Sequence, residues 1–195
     1  FINEATGSSV IVNDILVPVI KRSPVNLSSQ EEIGIEFNTN YSHSKNWRIG
    51  GNVNFYQSEI IGNYNGIIYD SKNLIWSGRL NNYLKLFSSV DWQTRISYRG
   101  PQKTAISTRK GSISTNTAFS KDIFGDKMTL TFKINDIFET QKWRLETLSE
   151  TYKTYSESSW RGGRNFNLSL IYRFNQKKNQ SNNKPSYEDY GGEGF

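Results

Sequence analysis

The sequence predicts an all-β chain built as an antiparallel transmembrane β-barrel, or as the C-terminal strands of a larger one. Three observations support this class. Segments of about ten residues alternate between apolar and polar side chains, as strands with lipid on one side and water on the other do. The connections between these segments alternate between short and long. Aromatic residues gather near the segment ends, where barrels carry girdles at the two membrane interfaces.

Composition agrees with this class and excludes others. The 195 residues are 35% hydrophobic and contain no cysteine, so a disulfide framework and thiolate metal sites are excluded. No apolar run approaches the roughly 20 residues that a membrane helix needs, whereas barrel strands look hydrophilic on average. The net charge of +6 is spread over the strands rather than gathered in one motif, and we therefore expect no nucleic-acid partner.

Alternation and connection length together order the strands. The predicted strands cover residues 33–42, 47–55, 74–86, 90–99, 113–123, 128–135 and 166–174. Tight turns are expected near residues 45, 88 and 125, and long connections at 5–29, 62–72, 100–111 and 139–163. Bacterial outer-membrane barrels have short periplasmic turns and long extracellular loops. A soluble β-sandwich has no reason to sort its connections in this way, so the sorting favours the barrel.

Charged side chains on the polar face of the strands support the same interpretation. The residues predicted to face a lumen are Arg79, Lys85, Arg95, Arg99, Lys133 and Arg173. In a soluble core each would cost several kcal/mol unless paired, whereas a hydrated lumen accepts them at little cost. The alternative is a single soluble sheet with its polar face in bulk solvent. It would need a cover for the apolar face, and the chain offers no convincing amphipathic helix.

Chemistry-bearing motifs are missing from the sequence. Glu31 and Glu32 are neighbours on opposite faces of a strand, and His43 is the single histidine and lies beside a turn. With no nucleophile motif, phosphate loop or plausible triad, we predict no enzymatic activity, no catalytic residue, no cofactor and no metal.

Aromatic and arginine residues in the last long connection could bind an unknown external ligand. The candidate contacts are Trp143, Arg144, Tyr152, Tyr155, Trp160 and Arg161. The alternative is that this connection forms a twisted hairpin above the membrane, with its aromatic residues packed on each other. Alternating side chains over residues 147–158 favour the hairpin.

Three stretches carry a resemblance to a known family. "RSPVNLSSQEEIGIEF", "KINDIFETQKWR" and "SESSWRGGRNFNLSLIYRF" resemble, in order and spacing, the C-terminal part of TonB-dependent-receptor-like outer-membrane β-barrel proteins of Bacteroidota. The resemblance implies an outer-membrane location, ligand uptake energised by TonB, and insertion by the barrel-assembly machinery. The final strand looks like that machinery's signal, formed by Phe166, Leu168, Leu170, Tyr172 and Phe174.

The resemblance also implies a division of the chain. Residues 1–174 would be the barrel part, and the polar residues 175–195 a disordered tail in the periplasm. A complete receptor has about 22 strands around a plug, so about seven strands suggest a C-terminal fragment whose partners are lipid, the remaining barrel, the plug and TonB. The alternatives are an independent eight-stranded barrel, a structural or adhesive outer-membrane barrel that anchors surface loops or a complex, and a soluble β-sandwich that binds a ligand.

Overall fold

Strands dominate the described part of the chain. The computed structural model describes residues 2–23, 26, 29–87, 89–104, 107–148, 153–159 and 162–174. In chain order the strands are β1 Ile2–Val12, β2 Ile15–Ser23, β3 Ser29–Ser44, β4 Trp47–Ile61, β5 Asn63–Tyr64, β6 Ile67–Ile68, β7 Ser71–Leu86, β8 Val90–Arg99, β9 Gln102–Lys103, β10 Ser107–Arg109, β11 Ser112–Ile123, β12 Met128–Asn135, β13 Lys142–Leu148, β14 Lys153–Ser159 and β15 Asn165–Tyr172. Within the described ranges no helix is long and apolar enough to cross a bilayer. The predicted tail at 175–195 lies outside the described residues.

Seven strands form the main sheet. Its order is β15-β12-β11-β8-β7-β4-β3, and every neighbouring pair is antiparallel. Strands that follow each other along the chain therefore lie side by side, with the shorter strands inserted in the long connections. These are the seven strands that alternation predicts, which confirms the all-β antiparallel class. Within the described residues β3 and β15 each have one neighbour, so the sheet is open.

The register gives the main sheet one apolar and one polar face. Directly opposite residues in neighbouring strands point to the same face. Phe37 lies opposite Val53, and Leu80 lies opposite Ile96. The apolar face is largely uncovered, and Leu168, for example, is 70% exposed. A broad uncovered apolar face of this kind is suited to contact with lipid.

Aromatic pairs join neighbouring strands on the apolar face. The ring centroids are separated by 6.3 Å in Phe55–Trp76, 4.2 Å in Trp76–Tyr98, 6.2 Å in Trp92–Phe119 and 6.2 Å in Phe132–Phe166. Such pairs contribute about 0.5–1.5 kcal/mol each beyond the burial of their area. They therefore favour the observed register over a slipped one.

Short turns connect the long strands at one end of the sheet, called the short-turn end below. They lie at residues 45–46 and 124–127 and between Leu86 and Val90, as the sequence predicts. Residue 88 lies outside the described part, but Leu86 pairs with Val90 on either side of it. Phe124 and Asp126 flank Gly125, and all three have a positive φ, of 54°, 65° and 62° respectively. Positive φ angles of this kind occur in tight turns that reverse the chain.

The opposite end carries the long connections, which contain strands of their own. β9, β10, β13 and β14 form a four-stranded sheet from the connections that follow β8 and β12. β1 and β2 form a hairpin around Asn13 and Asp14, whose φ angles of 49° and 62° suit a two-residue turn. The prediction of a long connection at residues 5–29 does not include this hairpin. The sequence signal that indicates the hairpin is the Asn-Asp pair between two apolar runs.

Candidate functional site

The polar face of the main sheet is the first component of the candidate site. Of the residues predicted to face a lumen, the register places five on this face: Arg79, Lys85, Arg95, Arg99 and Lys133. Nε of Arg95 donates to Oδ1 of Asn81 at 2.9 Å. Nζ of Lys85 lies 3.5 Å from Oδ1 of Asp91, close to the short turn between β7 and β8. Cationic side chains therefore run along the polar face of β7 and β8.

A cap formed by β9 and β10, called the outer cap below, lies over the polar face at the long-connection end. The side chain of Asn73, on the polar face of β7, donates to the backbone oxygen of Lys103 in β9. It also accepts from the Lys103 N–H at 3.3 Å. Ser58, which lies opposite Asn73, and Ile75, the next residue of β7 on this face, are each 1% exposed. This part of the polar face, beside the contact between Asn73 and the outer cap, is therefore shielded from solvent.

Arg109 of the outer cap is held by side chains of the long connections. Its Nη2 donates to Oε1 of Gln102 at 2.6 Å, and its Cζ lies 5.2 Å from the ring centroid of Trp143. Its Nε is buried and has no hydrogen-bond partner among the described residues. Burial lowers the pKa of the Arg109 guanidinium, the positive charge of Arg99 lowers it further, and Tyr56 acts in the opposite direction. Arg109 is therefore close to the polar face and retains an unused donor.

The last long connection forms the hairpin β13–β14, and its predicted ligand contacts separate onto two faces. Trp143 contacts Arg109, whereas Arg144 and Tyr155 lie on the other face and contact Glu157. The Tyr155 hydroxyl donates to Oε2 of Glu157 at 2.6 Å, and Nε of Arg144 lies 3.2 Å from the same oxygen. The predicted contacts Tyr152, Trp160 and Arg161 lie outside the described residues. The described contacts therefore do not converge on one ligand surface.

The pKa values in this hairpin follow from its hydrogen bonds. The bond from Tyr155, and then that from Lys142 at 2.9 Å, hold the pKa of the Glu157 carboxyl below its ordinary value. The same bond to a carboxylate raises the pKa of the Tyr155 hydroxyl. The carboxylate form of Glu157 and the neutral form of Tyr155 are therefore the pair that the hairpin favours.

Asp136 is a structural residue that the sequence alone did not single out, although it lies in the "KINDIFETQKWR" stretch. It is 2% exposed, and its φ is 49°. Its Oδ1 accepts from the Thr140 N–H at 3.0 Å, and its Oδ2 from the Gln141 N–H at 3.0 Å. Its own N–H donates to Oδ1 of Asn116 at 2.9 Å. Asp136 thus organises the turn from which β13 leaves the main sheet.

The predicted assembly signal lies on and beyond β15. Four of its residues lie opposite apolar residues of β12, in the pairs Phe166–Ile134, Leu168–Phe132, Leu170–Leu130 and Tyr172–Met128. Phe174 follows the strand and is 74% exposed. Arg173, predicted to face a lumen, donates from Nη1 to the backbone oxygen of Asp126 at 3.2 Å and so lies at the short-turn end. The signal residues within β15 belong to the apolar face.

Among the described residues, no group of three or more His, Cys, Asp or Glu side chains could hold a metal ion. The ring of His43 contacts that of Trp47 edge-on, with 5.1 Å between centroids. Nδ1 of His43 lies 3.5 Å from the Tyr41 hydroxyl. The environment of His43 is thus aromatic.

Two faces of opposite polarity, short turns at one end and long structured connections at the other define the wall of a transmembrane β-barrel. A family profile described as "Outer membrane protein beta-barrel family" matches residues 1–172. The chain therefore belongs to this family of outer-membrane β-barrel proteins, and the outer membrane is its location. No curated protein and no solved structure is detectably similar to the chain.

Proposed function

We propose that this protein is a TonB-dependent-receptor-like barrel that takes up an external ligand, and that the chain forms the C-terminal sector of its wall. The observation that carries the proposal is the outer cap over a cationic polar face. The Asn73–Lys103 contacts hold β9 against the inside of the wall, where a passing solute would meet it. In outer-membrane barrels, loops that turn inward can plug or narrow the lumen and so control which solutes enter it. The proposal includes no enzymatic step.

The open edges of the main sheet support a larger barrel. Unpaired backbone groups at a sheet edge cost several kcal/mol each in hydrocarbon, so barrels close without free edges. Since β3 and β15 each have one neighbour among the described residues, their outer edges would pair with further strands. A receptor of about 22 strands enclosing a plug would supply these strands. An independent eight-stranded barrel is the smaller alternative.

The direction of β15 supports the proposed sides of the membrane. β15 ends at Tyr172, opposite Met128, beside the short turn at residues 124–127. If short turns are periplasmic, the residues that follow β15 emerge into the periplasm. We therefore propose a periplasmic location for residues 175–195 and recognition of β15 with Phe174 by the barrel-assembly machinery.

Two measurements test the proposal. The first is the mass of the native species extracted from outer membranes with detergent and detected by an antibody against residues 175–195. A folded species near 22.5 kDa would contradict a large receptor and support the small barrel. The second compares solutes left in the medium by wild-type cells, cells lacking the gene and cells lacking TonB function. If the protein takes up a solute, wild-type cells should remove that solute from the medium and both mutants should leave it there.

A structural or adhesive role is the second candidate. The hairpin β1–β2 favours it, because Ile11 and Leu16, which pair beside its turn, are 72% and 68% exposed. Exposed apolar side chains on a surface loop are typical of protein contacts. Unchanged solute uptake, together with loss of cell attachment or of a co-purifying partner in the gene deletion, would favour this role over transport.

A further inference from the structure

Three arginines lie close together on the polar face of β7 and β8. Arg79 lies opposite Ser97, and Arg99 lies opposite Ser77. Arg79 is therefore a diagonal neighbour of Arg99 and also of Arg95, at about 7–8 Å between backbones. Diagonal neighbours on one face are within reach of long side chains. The three guanidinium groups therefore share one region of the polar face.

The described residues do not neutralise this positive charge. Their ion pairs involve Lys72, Lys85, Lys110, Lys142, Arg144 and Arg164 as cations, and none includes Arg79, Arg95, Arg99 or Arg109. The residues directly opposite the three strand arginines are neutral: Asn52 and Ser97 for Arg79, Asn81 and Asn116 for Arg95, and Ser77 and Ser112 for Arg99. Asp91, the acid of β8, instead contacts Lys85 and Tyr83 near the short turn. Like charges in proximity repel one another, and a bound anion would offset this repulsion by attracting each of them.

Arg109 extends this group toward the outside. The Gln102 and Trp143 contacts fix its guanidinium, which removes part of the entropy cost of ordering it on a ligand. Its buried Nε is an unused donor among the described residues. An unsatisfied buried donor costs free energy that a bound acceptor would recover. Arg99, the last residue of β8, is three residues before Gln102, which pairs with Arg109, and its positive charge also lowers the pKa of Arg109.

We propose that Arg99 and Arg109 form a binding site for an anionic group, a carboxylate or a phosphate, of an external solute, with Arg79 and Arg95 continuing the site inward. Arginine is suited to this role because its planar fork binds both groups through two parallel hydrogen bonds. Clustered positive charge also raises the rate at which anions arrive. This inference names the ligand class of the proposed uptake function, and in that respect rests on it.

Titration calorimetry of the full-length protein, purified from outer membranes in detergent at low ionic strength, tests the site. The probes are citrate for carboxylate and inorganic phosphate for phosphate, with choline as the cationic control. We expect Arg99→Gln and Arg109→Gln each to weaken binding of at least one anion by about tenfold or more. Arg109→Lys keeps the positive charge but not the planar guanidinium. Its affinity for the anion should therefore lie between those of the wild type and Arg109→Gln. Lys72→Gln removes the same charge from the other face and should leave binding unchanged.

The outcomes separate the alternatives. Equal binding by wild type, Arg99→Gln and Arg109→Gln overturns the site. No anion binding by the wild type also overturns it, and a lower melting temperature of Arg99→Gln would then indicate that an acidic segment of the protein itself pairs with the arginines. If anions bind through Arg99 and Arg109 but the medium comparison shows no TonB-linked uptake, the site stands and the uptake function fails.

Discussion

Replacement of Asp136 by alanine is the most informative test of how the long connections are anchored. The carboxylate accepts backbone hydrogen bonds from Thr140 and Gln141, both at 3.0 Å, and is almost fully buried. Alanine removes both acceptors and leaves two backbone donors without a partner. Because β13 follows directly, the loss should loosen the hairpin β13–β14 and with it the contact between Trp143 and Arg109.

The magnitude follows from the hydrogen bonds. A hydrogen bond to a charged group contributes about 1.5–3 kcal/mol, so two bonds give about 3–6 kcal/mol for Asp136→Ala. Loss of a side chain that tolerates the left-handed backbone at φ 49° adds about 1 kcal/mol. Asp136→Asn keeps one acceptor and the tolerance for that backbone. We therefore expect it to cost about 1.5–3 kcal/mol.

Two measurements quantify the effect of Asp136→Ala on stability and locate it in the structure. Chemical unfolding of the protein in lipid vesicles gives the total free energy, and hydrogen exchange of the backbone locates the loss in β13 and β14. Asp126→Ala is the matched control, because Asp126 also has a positive φ, of 65°, but is exposed and its carboxylate has no hydrogen bond among the described residues. If Asp136→Ala is no more destabilising than Asp126→Ala, the assigned role of the carboxylate is wrong.

Further predictions concern the two faces, the last strand and pH. Leu80→Arg on the apolar face should cost about 2–4 kcal/mol in vesicle refolding, whereas Gln93→Arg on the polar face should cost about 0.5 kcal/mol or less. Phe174→Ala should reduce the assembled protein in outer-membrane fractions at unchanged synthesis, measured with the tail antibody; an equal amount of assembled protein would contradict the assembly signal. Because Tyr155 lowers the pKa of Glu157, this carboxylate stabilises its hairpin above the ordinary pKa of 4.5, and the stabilisation is lost as pH falls through the lower folded value. Hydrogen exchange corrected for intrinsic rates should show this loss, and Glu157→Gln should abolish the pH dependence.

Alternation predicted the seven strands and their two faces because it is a local property. A slip of one residue would move every apolar side chain of a strand to the polar face, so the pattern also restricts the register. The pairing of Leu80 with Ile96 and of Phe132 with Leu168 follows from this restriction. Residue type and the period of two also explain why Trp143 and Arg144, as sequence neighbours, point to opposite faces of their hairpin.

The hairpin β1–β2 was predictable but not predicted. Its two-residue Asn13-Asp14 turn lies between the apolar runs 10–12 and 15–17, which is a recognised hairpin signal. The buried role of Asp136 was not predictable, because an aspartate in a polar stretch is usually a solvated turn residue. Its backbone N–H donates to Asn116, which the strand pairing brings from 20 positions earlier in the chain.

The contacts of the outer cap depended on the tertiary structure alone. Asn73 and Lys103 are 30 residues apart, and no local pattern relates the two. Likewise, Arg109 reaches Trp143 and the neighbourhood of Arg99 only because two long connections fold together over one face. Local alternation encodes which face of a strand is polar, since each residue contributes independently. Which loop covers that face depends on contacts between distant segments, whose free energies combine only when the chain has folded.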